Sequence, residues 1–398
     1  MRHSLLCFFL LAAYSGFCQI IPVLSDSARI SLITVAPGDE TYSMFGHSAL
    51  RVYDYRNRLD RCYNYGTFEF DQPNFLLKFC RGKLLYYLDI ESYRGFEYGN
   101  LSDRRGMQEQ LLHLDEAHKQ RLFELLSVNA REDNRYYKYD FFYDNCSTRI
   151  RDIVQEAYFH EIDYDSTHLP MGTTMRQLLR PYMRPHPWTE FGIDLLLGLP
   201  ADKRARPEDF MFLPDGMHEV FGHTMLAPGV QLVQAEHTIP DTPLAREAFE
   251  PDFFQHPFWV MCLVAVVGLL SMANPRTEHW FDTLFWFMLG LVGLVITLLW
   301  VATDHSATKN NLNVLWALPT HLLFFWRRNR SEFTQNYFIG TAILAAMTLL
   351  FWKWLPQEMP VAAIPLVVLV VIKGLWRHYW KVESWRDEFT GAWKRRTT

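Results

Sequence analysis

From residue 257 onward the chain is apolar in five runs, 257–273, 281–302, 312–326, 338–354 and 361–375, separated by short polar breaks. Most approach the ~20 residues a helix needs to cross about 30 Å of hydrocarbon, while the third and fifth are short or proline-interrupted. Before residue 253 the pattern is different. Apolar and β-branched residues bounded by turn residues predict strands over 30–35, 45–52, 61–68 and 84–90. In the second of these, His47, Ala49 and Arg51 share one face, and Ser48, Leu50 and Val52 share the other. A helix is predicted over 115–129, with Leu122, Leu125 and Leu126 apolar. The aromatic segment 136–143 then delivers the chain, extended, to Asp144-Asn145-Cys146. Beyond that tripeptide Ile150, Ile153, Val154, Ala157 and Tyr158 recur at helical spacing, so a helix starts at the cysteine and buries one face. No internal repeat or low-complexity tract interrupts this order. The expected architecture is an α+β exported domain, a small antiparallel sheet against the Cys146 helix, followed by an all-α five-helix transmembrane domain.

The two ends set the expected topology. Met1-Arg2-His3 followed by the apolar residues 4–14, with Gly16 and Cys18 at positions −3 and −1 before Gln19, predicts a cleavable signal peptide over 1–18. Phe17 stands where a lipidation motif wants a small residue, and an uncleaved anchor would leave the same topology. The exported catalytic domain is expected over 19–230, a Pro-, Glu-, Asp- and Thr-rich linker over 231–252, the five helices over 253–378 and a basic tail over 379–398. Arg327, Arg328 and Arg330 follow the third apolar run, and Arg377, Lys381, Arg386, Lys394, Arg395 and Arg396 follow the fifth. With the first domain in the periplasm, both clusters fall in the cytoplasm, as the positive-inside rule asks. That makes the chain a multi-pass inner-membrane protein with a cytoplasmic C-terminus. Trp280, Trp286, Trp300 and Trp316 are expected at membrane interfaces, and Lys353 and Lys373 are expected to snorkel.

Composition changes this picture little. Overall mean hydropathy near zero averages a polar half with an apolar one. A net charge of −5, with no basic aromatic-rich stripe, excludes nucleic acid as a natural partner. Of the 6 cysteines, Cys7 and Cys18 leave with the signal and Cys262 lies in the first membrane helix. Cys62, Cys80 and Cys146 remain in the exported domain, an odd count that leaves a free thiol whether or not Cys62 pairs with Cys80.

The candidate chemistry sits at the helix start. A thiol there meets unpaired backbone N–H groups and the positive end of the helix dipole, which favour the nucleophilic thiolate. Cys146 is the candidate nucleophile, His47 the base and acid, and Asn64, polar between Tyr63 and Tyr65, the group that orients the imidazole. Asp144 and Asn145 support the helix tip, where the Cys146 N–H suits a developing oxyanion. His218, Glu219 and His223 lack the spacing of zinc proteases and are read as surface or packing residues, so neither metal nor cofactor is expected. Asp304 and His305 are placed in an outer loop and His321 within the third apolar run.

A histidine strand, a second strand bearing a polar residue and then an Asn-Cys helix tip is the order of circularly permuted papain-like enzymes of the NlpC/P60 superfamily. Lecithin:retinol acyltransferase has that layout. Pro37-Gly38-Asp39-Glu40, Phe45-Gly46-His47, Asn64-Tyr65-Gly66-Thr67-Phe68, Asp144-Asn145-Cys146-Ser147-Thr148-Arg149 and Gly192-Ile193-Asp194-Leu195-Leu196-Leu197-Gly198 resemble, more specifically, the Lnb-type lipoprotein N-acyltransferases. The resemblance spans nearly the whole mature chain. It implies a periplasmic papain-like domain joined to five membrane helices. The implied reaction transfers an acyl chain from a membrane phospholipid to the N-terminal amine of a diacylglyceryl-cysteine apolipoprotein, through a Cys146 thioester. Two other readings fit the Cys–His pair less fully. A membrane-anchored NlpC/P60-like peptidase or amidase acting on peptidoglycan would need only an anchor. A non-catalytic binding module would tolerate loss of the thiol.

Overall fold

The computed structural model describes residues 21–165, 167–170, 172–240, 252–325 and 331–376. The expected signal peptide, half of the expected linker and both basic clusters, Arg377 and the tail included, lie outside the described residues.

The N-terminal half is built on one antiparallel sheet. Its strands are β1 (Arg29–Val35), β2 (His47–Asp54), β3 (Leu59–Thr67), β4 (Leu85–Ser92), β5 (Met107–Leu112), β6 (Tyr136–Lys138) and β9 (Val233–Ile239), ordered β6-β4-β3-β2-β1-β5-β9. Between β3 and β4 lies the short helix α1 (Phe75–Cys80), and between β4 and β5 lies α2 (Tyr93–Ser102). Alternation along the strands loads both faces. Leu32, Leu50, Val52, Tyr63 and Leu88 pack under α3 (Glu116–Asn129) and α4 (Cys146–Ala157). Ile33, Val35, Ala49 and Cys62 pack under Tyr93 and Phe96 of α2. Helix α4 buries Ile150, Ile153, Val154 and Ala157, the residues its spacing predicts. Each of the Ile and Val side chains contributes about 1.5–3 kcal/mol of apolar burial, which fixes the cysteine end of α4 against the sheet.

Four helices follow that periodicity did not reveal: α5 (Met175–Met183), α6 (Pro187–Leu196), α7 (Pro207–Phe210) and α8 (Pro214–His223). Three of them start on proline, whose missing N–H costs nothing at the first helical position, and all are too short to build a long apolar stripe. A small hairpin, β7 (Met225–Ala227) and β8 (Val230–Gln231), leads to β9. Residues 233–239 were expected in the linker, yet they pair with β5 from Met107↔Ile239 to Leu112↔Val233 as the sheet's edge. Polar residues fill β9 because most of its side chains stay exposed; only its ends reach apolar neighbours, and composition alone therefore resembles a tether. Cys62 is buried and Cys80 exposed, and both are free thiols, so they do not pair.

The C-terminal half is helical: α9 (Pro257–Ser271), α10 (Pro275–Val301), α11 (Glu332–Leu350) and α12 (Val361–Trp376). Helices α10 and α11 are long and apolar enough to cross a membrane. The third apolar run differs from expectation. Between α10 and α11 the chain forms 3-10 turns at Leu312–Leu315 and Pro319–Leu323 rather than a continuous helix. Pro319 removes a helical donor, and Asn311 caps a turn by accepting from the Asn313 N–H. Glycines in α10 let this irregular backbone lie against the helix: a Cβ on Gly293 would stand 1.9 Å from the Ala317 carbonyl oxygen.

Two further expectations are corrected in this half. Lys373 does not snorkel; it is buried, 2.8 Å from Asp282 Oδ1 and 3.0 Å from Ser271 Oγ. Its partners come from α9 and α10, which the sequence of α12 cannot announce. Trp286 and Trp316 lie in the core of the helical region rather than at an interface, while Trp280 is exposed. His321 is also buried, its Nδ1 2.9 Å from the Tyr337 hydroxyl and its ring against Trp286.

The Gly192-to-Gly198 motif turns out to join the two halves. Arg176 of α5, fully buried, bonds Asp194 Oδ1 and both carboxylate oxygens of Asp202, each at 2.9 Å. Asn311 Nδ2 donates to the carbonyls of Leu195 and Leu196, Gln357 Nε2 donates to that of Leu197, and the Gly198 N–H donates to Ala307 O. Arg180 pairs with Glu358 beside them. At Gly198 a Cβ would lie 1.9 Å from the Lys309 carbonyl oxygen, whereas at Gly192 nothing lies within 4 Å. Gly198→Ala should therefore cost about 3 kcal/mol or more and lower the thermal midpoint of the full chain in detergent. Gly192→Ala, in a helix interior, should leave the midpoint level or raise it. A Gly198→Ala melt matching wild type would mean that the two halves do not need this close approach.

Candidate active site

Cys146 and His47 meet where the sheet opens. Strands β2 and β3 pair from Asp54↔Leu59 to Leu50↔Tyr63 and no further, and the β3–β4 register shifts between Asn64 and Thr67. Gly46, at φ 81°, turns the chain into β2 just before His47, and Gly66, at φ 90°, lies beside Cys146. A Cβ on Gly66 would stand 3.6 Å from the Cys146 Cβ, so the glycine keeps the thiol's flank clear. Helix α4 fills the opening with its first residue. Its cap is complete: Asn145 Oδ1 accepts from the Thr148 N–H at 2.9 Å, and Thr148 Oγ1 accepts from the Asn145 N–H at 2.8 Å.

The imidazole is held from behind. His47 Nε2–H donates to Asn64 Oδ1 at 2.5 Å, and Asn64 Nδ2 donates to Glu91 Oε1 at 3.4 Å, which fixes the amide's orientation. With Nε2 engaged, Nδ1 is the ring nitrogen left free, and Cys146 is near enough to raise the imidazole's pKa. Burial pushes the Cys146 thiol up, but the His47 charge and hydrogen bond, the Ser48 N–H and the Ser147 hydroxyl outweigh it, and its pKa falls below the ordinary thiol value. Burial likewise pushes the His47 imidazole down, yet Cys146 and then Asn64 more than offset it, so its pKa is raised above 6.5 despite the repulsion of Arg105. Each group thus favours the charged form of the other, thiolate beside imidazolium. As the first residue of α4, Cys146 also presents an N–H with no intrahelical partner.

The five residues singled out from the sequence separate into two groups. Cys146, His47 and Asn64 form one connected chain. Asn145 and Asp144 stand beside it as scaffold. Both Asn145 Nδ2 hydrogens are engaged, one to the Phe141 carbonyl and one to the Phe212 carbonyl, each at 2.8 Å. Asp144 is paired with Arg149 at 2.5 Å, and Arg149 in turn lies over the Tyr137 ring. Asn145 thus fixes the helix tip without a donor to spare for substrate. Sequence reasoning missed Glu91 behind Asn64, the Ser48 N–H, and Ser147, whose hydroxyl is 2.9 Å from that of Ser48. The one sequence signal was the serine directly following each of His47 and Cys146.

The other candidate residues named from the sequence lie elsewhere. His218 Nε2 pairs with Glu236 at 3.1 Å and His223 stacks on His168, away from Cys146. Asp304 and His305 touch α1: the Asp304 N–H donates to Arg81 O, and His305 Nε2 lies 3.1 Å from Phe79 O.

A cavity of about 480 Å³ opens over the thiol, with His47, Asn145 and Cys146 at its floor. Its walls are apolar and largely aromatic, from Phe45, Phe68, Tyr86, Tyr139, Phe141 and Phe212, and Phe75, Leu76 and Phe79 of α1 extend them. Thr41 and Tyr42, which follow the Pro37-to-Glu40 turn, line the rim. Ligand sites typically span roughly 300–1,000 Å³, so a small molecule or part of a larger one fits.

Residues 23–181 match the Lnb N-terminal periplasmic domain, and residues 246–384 match the Lnb transmembrane domain, together about three quarters of the chain. The chain belongs to the Lnb family. No curated protein and no solved structure matches it. Membership in this family of lipoprotein N-acyltransferase type carries a role of that kind in lipoprotein processing. It makes this a membrane protein whose sheet-rich half is a periplasmic domain, and it places lipoprotein and membrane lipid among its partners in general.

Proposed function

We propose that the chain moves an acyl group from a membrane phospholipid to the N-terminal amine of a diacylated apolipoprotein by way of a thioester on Cys146. The observation that carries this reading is the Cys146–His47–Asn64 chain at the floor of an apolar cavity in a protein of this family. In the first half-reaction the thiolate attacks the ester carbonyl carbon. The carbonyl oxygen becomes an oxyanion, which the Cys146 N–H is placed to receive. Collapse breaks the C–O bond, and the His47 imidazolium gives its proton to the departing alkoxide, leaving lysophospholipid and acyl-enzyme. The lipoprotein amine then attacks the thioester, neutral His47 takes the amine's proton, and collapse releases the amide and restores the thiolate. Asn64 keeps one tautomer and one ring position through both steps.

The order of His47 strand, Asn64 strand and Cys146 helix supports a circularly permuted papain-like fold for the periplasmic half. The apolar walls favour an acyl chain over the polar sugars and peptides of the cell wall, so acyl transfer is preferred to peptidoglycan cleavage. The deciding experiment incubates purified protein in detergent with labelled phospholipid. Label should become hydroxylamine-sensitive on Cys146 and move to the lipoprotein N-terminus when acceptor is added. Transfer with Cys146 unmodified throughout would sink the covalent route.

The topology follows from the passes of the chain. Asp304 and Asn311, which follow α10, and Gln357 and Glu358, which precede α12, all bond residues of the periplasmic domain. Counting the irregular 312–325 pass, the helical region makes five crossings of the inner membrane. Reporter fusions at Thr398 should accordingly be active only in the cytoplasm. Periplasmic activity at Thr398 would mean that 312–325 turns back without crossing.

A further inference from the structure

Helix α1 is poorly explained as part of a soluble surface. It has no buried residue, and Leu76, Leu77 and Phe79 are 70%, 57% and 49% exposed, with Phe70 just before it at 65%. Exposed apolar side chains gathered in this way mark an interaction surface. Three further observations say which partner it fits. First, α1 sits at the junction with the membrane domain: Asp304 N–H donates to Arg81 O, His305 bonds Phe79 O, and a Cβ on Gly82 would lie 3.1 Å from the His305 nitrogen. Second, Lys78, Arg81 and Lys83 accompany the apolar residues, a composition that suits anionic headgroups above an acyl layer. Third, the apolar surface is continuous with the cavity. Rings follow one another from Tyr139 to Tyr86 at 4.4 Å, to Phe68 at 5.1 Å, to Phe75 at 6.0 Å and to Phe79 at 6.2 Å.

From these we infer that α1 dips into the outer leaflet of the membrane and that a phospholipid acyl chain slides from the bilayer along the aromatic path to Cys146, without passing through water. The inference rests on the acyl-transfer reading and adds the route and the docking surface. Leu77 faces outward and does not line the cavity, so it tests docking apart from chain binding. A carboxylate there opposes insertion, while a phenyl group preserves it.

The test uses the full chain in vesicles of phosphatidylethanolamine and phosphatidylglycerol, measuring label accumulation on Cys146 from two donors. One is a long-chain phospholipid in the bilayer; the other is a short-chain phospholipid kept monomeric in solution. Leu77→Glu should slow labelling from the bilayer donor at least fivefold more than from the soluble donor, and Leu77→Phe should restore it. Equal slowing with both donors, or no slowing with the bilayer donor, would overturn the docking role. Wild type taking label from neither donor would overturn the acyl-transfer reading itself, which is a different result. A second measurement needs no catalysis. In a Cys146→Ser, Cys262→Ser background, with Cys62 buried, a fluorophore on exposed Cys80 should be quenched by nitroxide lipids at shallow depth and shielded from aqueous iodide. Quenching by iodide alone would place α1 in water and end the proposal.

Discussion

Cys146→Ser should lose acyl-enzyme formation by three or more orders of magnitude while its thermal midpoint stays near that of wild type. Three orders correspond to roughly 4 kcal/mol of transition-state stabilisation. The loss follows from what the site does to sulfur. His47, the Ser48 N–H and the Ser147 hydroxyl hold the Cys146 pKa down against burial, and the same partners cannot ionise an alcohol whose acidity is far weaker. The fold should hardly notice. Serine is nearly isosteric, the neighbouring polar groups can accept or donate to its hydroxyl, and the cap on α4 belongs to Asn145 and Thr148. The assay pairs label trapping by mass spectrometry with a melt of the same preparation. Near-normal labelling of the serine variant would remove Cys146 from the nucleophile's role. Loss of labelling with a collapsed melt would instead mark a structural cysteine, and Cys146→Ala would then be expected to melt equally early.

What could be read from the sequence is what local rules govern. The helix from Cys146 was visible because Ile150, Ile153, Val154 and Ala157 obey the helical period, and the strand bearing His47 because its two faces alternate. Asn64 stood out as an amide between two buried tyrosines. These three residues lie on different elements, yet their meeting needed only an antiparallel sheet with a helix across it. Other parts depend on partners remote in the chain. Strand β9 looks like a tether until β5 supplies its hydrogen bonds, and Lys373 looks like an interfacial lysine until Asp282 and Ser271 are placed beside it. Apolarity predicted a helix over 312–326, but Pro319 and the glycine face of α10 favour a closely packed irregular pass. The cavity wall was the least legible feature. Its rings come from Phe45, Phe68, Phe75, Tyr86, Tyr139 and Phe212, which only the fold gathers.

The second large effect concerns the imidazole. His47→Ala should slow both acylation and deacylation by about 10²–10⁴, because the same group gives a proton to the lysolipid alkoxide and takes one from the amine. Asn64→Ala should cost less, about 10–100-fold, the worth of a hydrogen bond to a charged partner. It should also leave a signature in pH that a mere packing defect would not. The reacting form pairs a thiolate with an imidazolium, so the rate of acylation should rise as Cys146 ionises and fall as His47 loses its proton. Asn64 accepts from the protonated ring and therefore raises the His47 pKa; removing it lets imidazolium lose its proton at lower pH. The alkaline limb should move down. With the imidazolium less stable, the thiolate loses part of its main stabilising charge, and the acid limb should move up. Single-turnover labelling of Cys146 across pH measures both limbs. A uniformly slower Asn64→Ala profile with both limbs unmoved would show that Asn64 positions the strand rather than the charge on His47.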